Sequence, residues 1–427
     1  MTYEASIRFL YELQLFGARF GLEATRRLAA LAGNPHERLR FIHVAGTNGK
    51  GSTCAMLEAI YRAAGLRVGL FTSPHLVSFR ERMQINREWV SEADVIDLIG
   101  RAQSWIANFS SQDHPTFFEV VTVMALAYFS EQKCDLVIWE TGLGGRLDAT
   151  NIVTPLANVI VTIDFDHEKW LGHTLAEIAR EKAGIIKPRI PVITGESKPE
   201  PLRVITDTAI QNESALIVAN IEEWKRASLN SLPFPLLGDH QRLNATVALA
   251  TVRALSKQIP VGQESLRTGL SSVQWPGRMQ IVRLGPSRTI ILDGAHNPAG
   301  ADSLRCALQG QFPGQRFSIV LGLFADKDWA NMIRILAPLA SRILVARPRS
   351  ERAADTELLA ALCHQAGPAA EIRRVDGVEE ALEQTANDPF VVVTGSLHFV
   401  GEAIEALRLS PVPMPNERGL NEWSVTR

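Results

Sequence analysis

Residues 41–65, FIHVAGTNGKGSTCAMLEAIYRAAG, constrain the fold more than any other stretch of the chain. Phe41, Ile42, Val44 and Ala45 make a short apolar run of strand length, and from Ser52 onward Met56, Leu57, Ile60, Tyr61 and Ala64 recur at helical spacing. Gly65 supplies a C-terminal stop. Between strand and helix stand Gly46, Thr47, Asn48, Gly49, Lys50 and Gly51. Glycines let backbone N–H groups converge on an anion, and a helix N-terminus adds the positive end of its dipole. A lysine placed like Lys50 reaches the outer phosphates of a nucleotide, and the hydroxyl of Ser52 or Thr53 suits a magnesium ion. The common pattern G-x-x-x-x-G-K-[ST] fails here, because Gly51 separates Lys50 from Ser52. An ordinary glycine-rich turn needs no such combination of strand, lysine, hydroxyl and helix, so the stretch reads as a phosphate loop of a particular kind.

The chain's 427 residues exceed one ordinary core, and two domains are expected. With 46% hydrophobic and 21% charged residues the composition is globular. A net charge of −2 gives no support for a nucleic-acid or membrane partner held by bulk electrostatics. No apolar run approaches the roughly 18–20 residues that span a bilayer. The first residues carry Glu4 and Glu12 and lack a basic segment before a cleavage site, so no signal peptide is expected. Cys54, Cys134, Cys306 and Cys363 show no CxxC spacing and read as reduced thiols of a cytoplasmic protein.

Two leader helices are expected over residues 3–31, followed by strands at 41–45, 67–71, 135–140 and 157–163 that alternate with helices. Ser91 with Asp94, Thr116 with Glu119 and Thr174 with Glu177 are spaced as helix N-terminal caps. This alternation predicts an α/β, doubly wound, mostly parallel sheet. The phosphate loop, Ser73, Glu140 and His167 each fall at or just beyond the carboxyl end of a different strand, the edge at which open α/β sheets bind ligands. Glu140 and His167 offer a carboxylate oxygen and an imidazole, both acceptable around Mg²⁺ when water completes the shell, with Ser73 as a further ligand. A salt-bridged Glu140 and a turn histidine at 167 are the plain alternatives, and the shared strand edge argues against them. Gln274-Trp275-Pro276-Gly277-Arg278 reads as a linker. A second, smaller α/β alternation follows, with strands near 289–292, 317–322, 343–346 and 390–394. The domains are thus drawn as residues 1–278 and 279–410, with 411–427 as a flexible tail.

The string AGTNGKGS resembles the loop of the folylpolyglutamate synthases and dihydrofolate synthases, a branch of the Mur ligase superfamily. TSPHL from Thr72, ERMQIN from Glu81, ETGLGGRLDATN from Glu140 and EKAGIIKP from Glu181 resemble that family too. So do Asp166-His167, HQRLNA from His240, PGR from Pro276 and DGAHNP from Asp293. The similarity runs from about Tyr3 to about Leu407.

That resemblance implies an ATP- and Mg²⁺-dependent amide ligase with a Mur-ligase-like ATPase domain and a Rossmann-like C-terminal domain. ATP would phosphorylate a carboxylate of dihydropteroate or a reduced folate. The amine of L-glutamate would then attack the acyl phosphate, and phosphate would leave. Lys50, Glu140, His167 and Lys182 are the implied catalytic residues, with the loop from Gly46 to Thr53, Asn244, Arg278 and Asp293 around ATP. Ser52, Ser73 and Glu140 would hold a first Mg²⁺, and Glu140 and His167 a second. Lys182 matches a lysine that is carbamylated in the superfamily. Because CO₂ adds only to a neutral amine, its site must lower the lysine pKa. Arg82, His296 and Ser396 are implied for glutamate and Asp148 for the folate end, although TGSLHF stands where a tyrosine commonly follows the SL pair. A monomer is expected, and closure of the two domains about Gly277. A folylpolyglutamate synthase of single activity, a nucleotide-gated regulator and a cell-wall amino-acid ligase are the rivals. The leader, Gly51 and ETGLGGRLDATN argue against the last, and the metal constellation against the regulator.

Overall fold

Short apolar runs between amphipathic helices give parallel strands covered on both faces. The computed structural model describes residues 1–14, 17, 21–226, 232–367, 369–410 and 417–421. The first sheet contains β1 (Phe41–Ala45), β2 (Val68–Phe71), β3 (Met83–Ile85), β4 (Glu88–Trp89), β5 (Leu136–Glu140), β6 (Ala157–Ile160), β7 (Val192–Thr194) and β8 (Leu216–Val218). Its spatial order is β4-β3-β2-β5-β1-β6-β7-β8. All neighbours are parallel except β3, which runs against both β2 and β4.

The covering helices are α1 (Tyr3–Gln14), α2 (Glu23–Leu31), α3 (Lys50–Ala63), α4 (Glu92–Ile106), α5 (Phe117–Glu131), α6 (Glu168–Leu171), α7 (Leu175–Ala183), α8 (Pro199–Gln211), α9 (Glu222–Arg226), α10 (Asp239–Ala254) and α11 (Gln263–Ser272). Leu10, Leu28, Ile99 and Val121 from the leader and α4–α5 pack on one face with Phe71 and Trp139. Met56, Ile60, Val247 and Leu270 pack on the other with Ile42 and Val44.

The register places the chemistry. Val44 pairs with Glu140 on one side of β1 and Ala45 with Ile160 on the other. The loop after Ala45 therefore emerges between the end of β5 and the segment that leads to His167. The chain leaves β1 toward β2 on one side, while its neighbour β6 leads to β7 on the other, which opens a crevice at the strand ends.

The second sheet contains β9 (Gln280–Leu284), β10 (Arg288–Leu292), β11 (Phe317–Leu321), β12 (Ala340–Ala346), β13 (Glu371–Val375) and β14 (Phe390–Thr394). It is ordered β13-β12-β11-β14-β10-β9 and is parallel apart from the β9–β10 hairpin. Helices α12 (Pro298–Gln311), α13 (Trp329–Leu336), α14 (Thr356–Ala366), α15 (Val378–Gln384) and α16 (Leu397–Ala406) cover it. Among the described residues no helix is long and apolar enough to cross a membrane.

The expected flexible tail departs from the structure at one point. Glu417–Asn421 is a 3-10 turn with Glu417, Arg418 and Leu420 buried. Its charges tolerate burial because they are partnered. Glu417 accepts hydrogen bonds from the Phe79 N–H at 2.6 Å and the Ser78 hydroxyl at 3.0 Å, and Arg418 pairs with Glu405 of α16. The remainder of the expected tail beyond Ser410 lies outside the described residues.

Candidate active site

The phosphate loop depends on two glycines in the left-handed region, Gly46 at φ 151° and Gly49 at φ 85°. A Cβ at Gly49 would stand 2.4 Å from Asn244 Oδ1, so α10 closes directly on the loop. The irregular Gly51 also has a packing reason, since a Cβ there would lie 2.9 Å from the Trp275 indole nitrogen. Lys50 donates to the carbonyl oxygens of Gly46 at 3.1 Å and Thr47 at 3.3 Å. The Ser52 and Thr53 hydroxyls are buried and have no hydrogen-bond partner among the described residues. Buried polar atoms are almost always satisfied, so two orphan hydroxyls under a phosphate loop mark where a ligand oxygen or cation completes the bonding.

At the end of β5, Glu140 receives the Thr72 hydroxyl and the Ser73 N–H, both on Oε2. Burial raises its pKa against the lowering influence of Lys50, Thr72, Ser73 and Arg278. His167 adopts φ 53° at the start of α6. Desolvation in the cleft lowers its pKa against the pull of Asp166, with Lys327, His296 and Lys182 adding to the lowering, although the side chain is still 39% exposed. The ring is a neutral imidazole near pH 7. Lys182 of α7 donates to Gly46 O at 2.9 Å, and burial, reinforced by Lys50, lowers its pKa to about 7.

Two cavities meet here. The larger, of about 350 Å³, is lined by the loop together with Glu140, Lys182, Asn244, Arg278 and Asp293. The smaller, of about 220 Å³, is lined by Arg82, Phe117, Asp148, Phe324, Lys327 and Ser396, among others. Ser73, His167 and His296 line both, so the cavities share a polar seam.

Apart from Gly46 and Thr53, every residue expected at the site lines one of these cavities, and several also have a local task. Asn48 and Asn297 exchange amide hydrogen bonds at 3.1 Å between the two sheets' domains. Asn244 donates to Gln241 at 3.1 Å. Arg278, whose pKa burial lowers, donates to Gly277 O. Asp293 receives the N–H groups of Met279 and Ala295 at 2.8 and 3.0 Å, and Ser396 receives the Phe399 N–H to cap α16. Asp148 holds its own loop by accepting from the N–H groups of Leu143 and Thr150. His296 lies between Gly294 O at 2.8 Å and Asp166 at 3.2 Å. Arg82 is buried, which lowers its pKa to about 10 against the charges of Glu81 and Glu140.

Sequence reasoning overlooked Asp166 as a site residue. Its carboxylate meets Lys327, His296 and Asn297, all from the second domain. Its place beside His167 at a strand end was the available signal. Lys327 and Asn421 carried none. Among the described residues no three His, Cys, Asp or Glu side chains gather into one cluster. Any cation here would lean on the hydroxyls of Ser52 and Ser73, Glu140 and His167.

Comparison with known proteins bears on this geometry. The Mur ligase middle domain family matches residues 44–252, and the Mur ligase glutamate ligase domain family matches residues 277–397. The chain is 35% identical to the dihydrofolate synthase/folylpolyglutamate synthase of Bacillus subtilis, over 95% of this chain and 99% of that protein. The folylpolyglutamate synthase structure of Thermotoga maritima matches with a TM-score of 0.83 at 35% identity, covering 97% of this chain and 98% of that one. The FolC structure of Escherichia coli, in complex with DHPP and ADP, matches with a TM-score of 0.85 at 32% identity, covering 96% and 98%.

Proposed function

The chain belongs to the Mur ligase family, in the branch of the dihydrofolate synthases and folylpolyglutamate synthases, and from that premise we propose how its residues perform the ligation. It is an ATP-dependent ligase that adds L-glutamate to dihydropteroate and to reduced folates. The observation that carries the residue-level reading is the seam of Ser73, His167 and His296 between a cavity built on a phosphate loop and a second cavity with aromatic walls.

ATP lies in the larger cavity, with its phosphates over the loop and neutralised by Lys50. Asn244 faces the adenine, while Arg278 and Asp293 meet the phosphates and ribose. The folate occupies the smaller cavity, its flat ring against apolar walls near Asp148 and its carboxylate toward the seam. A carboxylate oxygen attacks the γ-phosphorus, the bond to the β-phosphate oxygen breaks, and ADP is released from the new acyl phosphate. Arg82, His296 and Ser396 hold L-glutamate so that its amine attacks the acyl carbon. The amide forms as the carbon–oxygen bond to phosphate breaks. Positioning and charge neutralisation are most of what this chemistry asks of the protein.

The donor set fits magnesium, because the Ser52 hydroxyl is buried and unpartnered and the His167 imidazole is neutral. Ser52, Ser73 and Glu140 would hold one ion and Glu140, His167 and Lys182 a second, and magnesium supplies neutralisation of the transferring phosphoryl group. A Lys182 amine with a pKa of about 7 is substantially neutral near pH 7 and can add CO₂, giving an anionic carbamate suited to that second site.

We assign residues 1–278 to the ATP-binding domain and 279–410 to the glutamate-ligase domain, hinged at Gly277, whose φ is 72°. The protein is taken to act as a cytoplasmic monomer. Steady-state phosphate release with ATP, glutamate and either dihydropteroate or tetrahydrofolate tests the reading. Turnover is expected to require all three substrates, with either folate serving. ATP turnover independent of folate and glutamate would instead favour the nucleotide-gated regulator.

A further inference from the structure

The 3-10 turn Glu417–Asn421 lies beyond residue 397, where the matched glutamate ligase domain ends. It nevertheless touches three separate parts of the molecule. Tyr3 of α1 donates to Glu417 at 3.3 Å, and Gln14 of α1 donates to Gly419 O at 3.0 Å. Arg418 pairs with Glu405 of α16. Leu420 and Asn421 line the smaller cavity.

The third contact is a closed set of hydrogen bonds around Arg82. Arg82 Nε donates to His75 Nδ1 at 2.9 Å, and Arg82 Nη2 donates to Asn421 Oδ1 at 2.7 Å. Asn421 Nδ2 returns to His75 O at 2.9 Å. An imidazole that accepts at Nδ1 must carry its proton on Nε2, and there it meets the Glu417 carbonyl oxygen at 2.9 Å. The tautomer demanded by Arg82 is therefore the one that the turn satisfies. Arg82 is 3% exposed, and its guanidinium carbon lies 5.3 Å from the Phe117 ring centroid. A buried, forked cation held on two of its nitrogens is oriented for a carboxylate.

We propose that Asn421 is a positioning residue of the ligase: by fixing the Arg82 guanidinium it makes the Glu417–Asn421 turn part of the subsite for the carboxylate of the incoming amino acid. This rests on the functional reading above, in which Arg82 holds glutamate. The turn acts through Arg82 and touches neither the phosphate loop nor the ATP cavity.

Steady-state kinetics of the full chain test it. Asn421→Ala is expected to raise KM for glutamate about tenfold, the usual weight of a hydrogen bond to a buried charge. KM for ATP should stay within about twofold, and kcat should change less than KM for glutamate. Asn421→Leu, which fills the same space without an acceptor, should behave like the alanine variant. Restoration by leucine would show that Asn421 merely packs, and would overturn the proposal. Arg82→Ala and the Arg82→Ala/Asn421→Ala double variant should share one KM for glutamate, and an additive further loss would likewise overturn it. An active wild type with an unaffected Asn421→Ala would refute this inference alone. A wild type that releases no phosphate in response to glutamate would remove the functional reading and this inference together.

Discussion

Asp166 and Lys327 meet at 2.6 Å between the domains of the two sheets, each side chain less than a tenth exposed. Asp166 follows β6, and Lys327 lies in the turn after β11. Burial opposes ionisation of Asp166. The His296 hydrogen bond and the Lys327 charge, joined by His167 and His296 when those rings are protonated, outweigh it and hold the carboxyl well below its usual pKa.

A carboxylate with a depressed folded pKa stabilises fully above its unfolded pKa of ~3.9 and loses that contribution as pH falls below it. Asp166→Asn takes the near partner from buried Lys327 and leaves it only the Asp326 carboxylate at 4.0 Å, which costs up to about 3–5 kcal/mol. Urea unfolding at pH 7 should show that loss. On acidification below about pH 4, the wild-type Tm should fall more steeply than that of the variant. Parallel acid limbs would mean that the pair contributes nothing specific.

Gly49→Ala combines a Cβ 2.4 Å from Asn244 Oδ1 with a φ of 85°. Backbone strain of this kind costs about 1–3 kcal/mol, and the clash pushes α10 off the loop. Calorimetric titration should show ATP binding weakened by about tenfold or more. Unchanged binding would mean that the loop does not carry the nucleotide.

Glu140→Gln and His167→Ala should each lower kcat by about a hundredfold or more, as losing charge stabilisation of a phosphoryl transfer does. Both residues line a cleft, so their circular dichroism spectra should match the wild type. Near-normal turnover of either variant at limiting Mg²⁺ would remove it from the metal set.

Lys182 titrates near pH 7, far below a free lysine at ~10.4. The neutral amine that adds CO₂ therefore grows as pH rises through about 7. With ¹³C-bicarbonate present, a carbamate resonance should grow over that range and be missing from Lys182→Arg. The same shift ties stability to pH: between about 7 and ~10.4 the unfolded chain binds the extra proton, so Lys182 contributes a stability that rises with pH. Lys182→Met should flatten that slope in urea unfolding.

The organising strand, loop and helix were legible because apolar period and glycine placement coincide over residues 41–65. The Thr116–Glu119 and Thr174–Glu177 boxes were equally legible, since their reciprocal bonds depend only on local spacing. Strands β9 and β13 were missed because their half-exposed sequences, QIVRL and EIRRV, carry charges where the expected strands carry apolar runs. Asp293, Asp148 and Ser396 were read as ligand residues, and the structure adds bonds from backbone N–H groups that only the folded chain reveals. The Asp166–Lys327 pair joins positions 161 apart and has no local signature. Burial of Glu417 and Arg418 defied the sequence most, because charged residues near a chain terminus resemble solvated tail until their partners are known.

The Tyr3–Glu417 hydrogen bond spans 414 residues, so helix α1 is made long before its partner. Translation can complete both sheets, the phosphate loop and the hinge while residues 417–421 are still unmade. A chain stalled at that stage holds the ATP cavity whole, yet Arg82 lacks Asn421 and α1 lacks the turn that covers it. Domains fold in the order they emerge, so nucleotide binding precedes a finished acceptor pocket during synthesis.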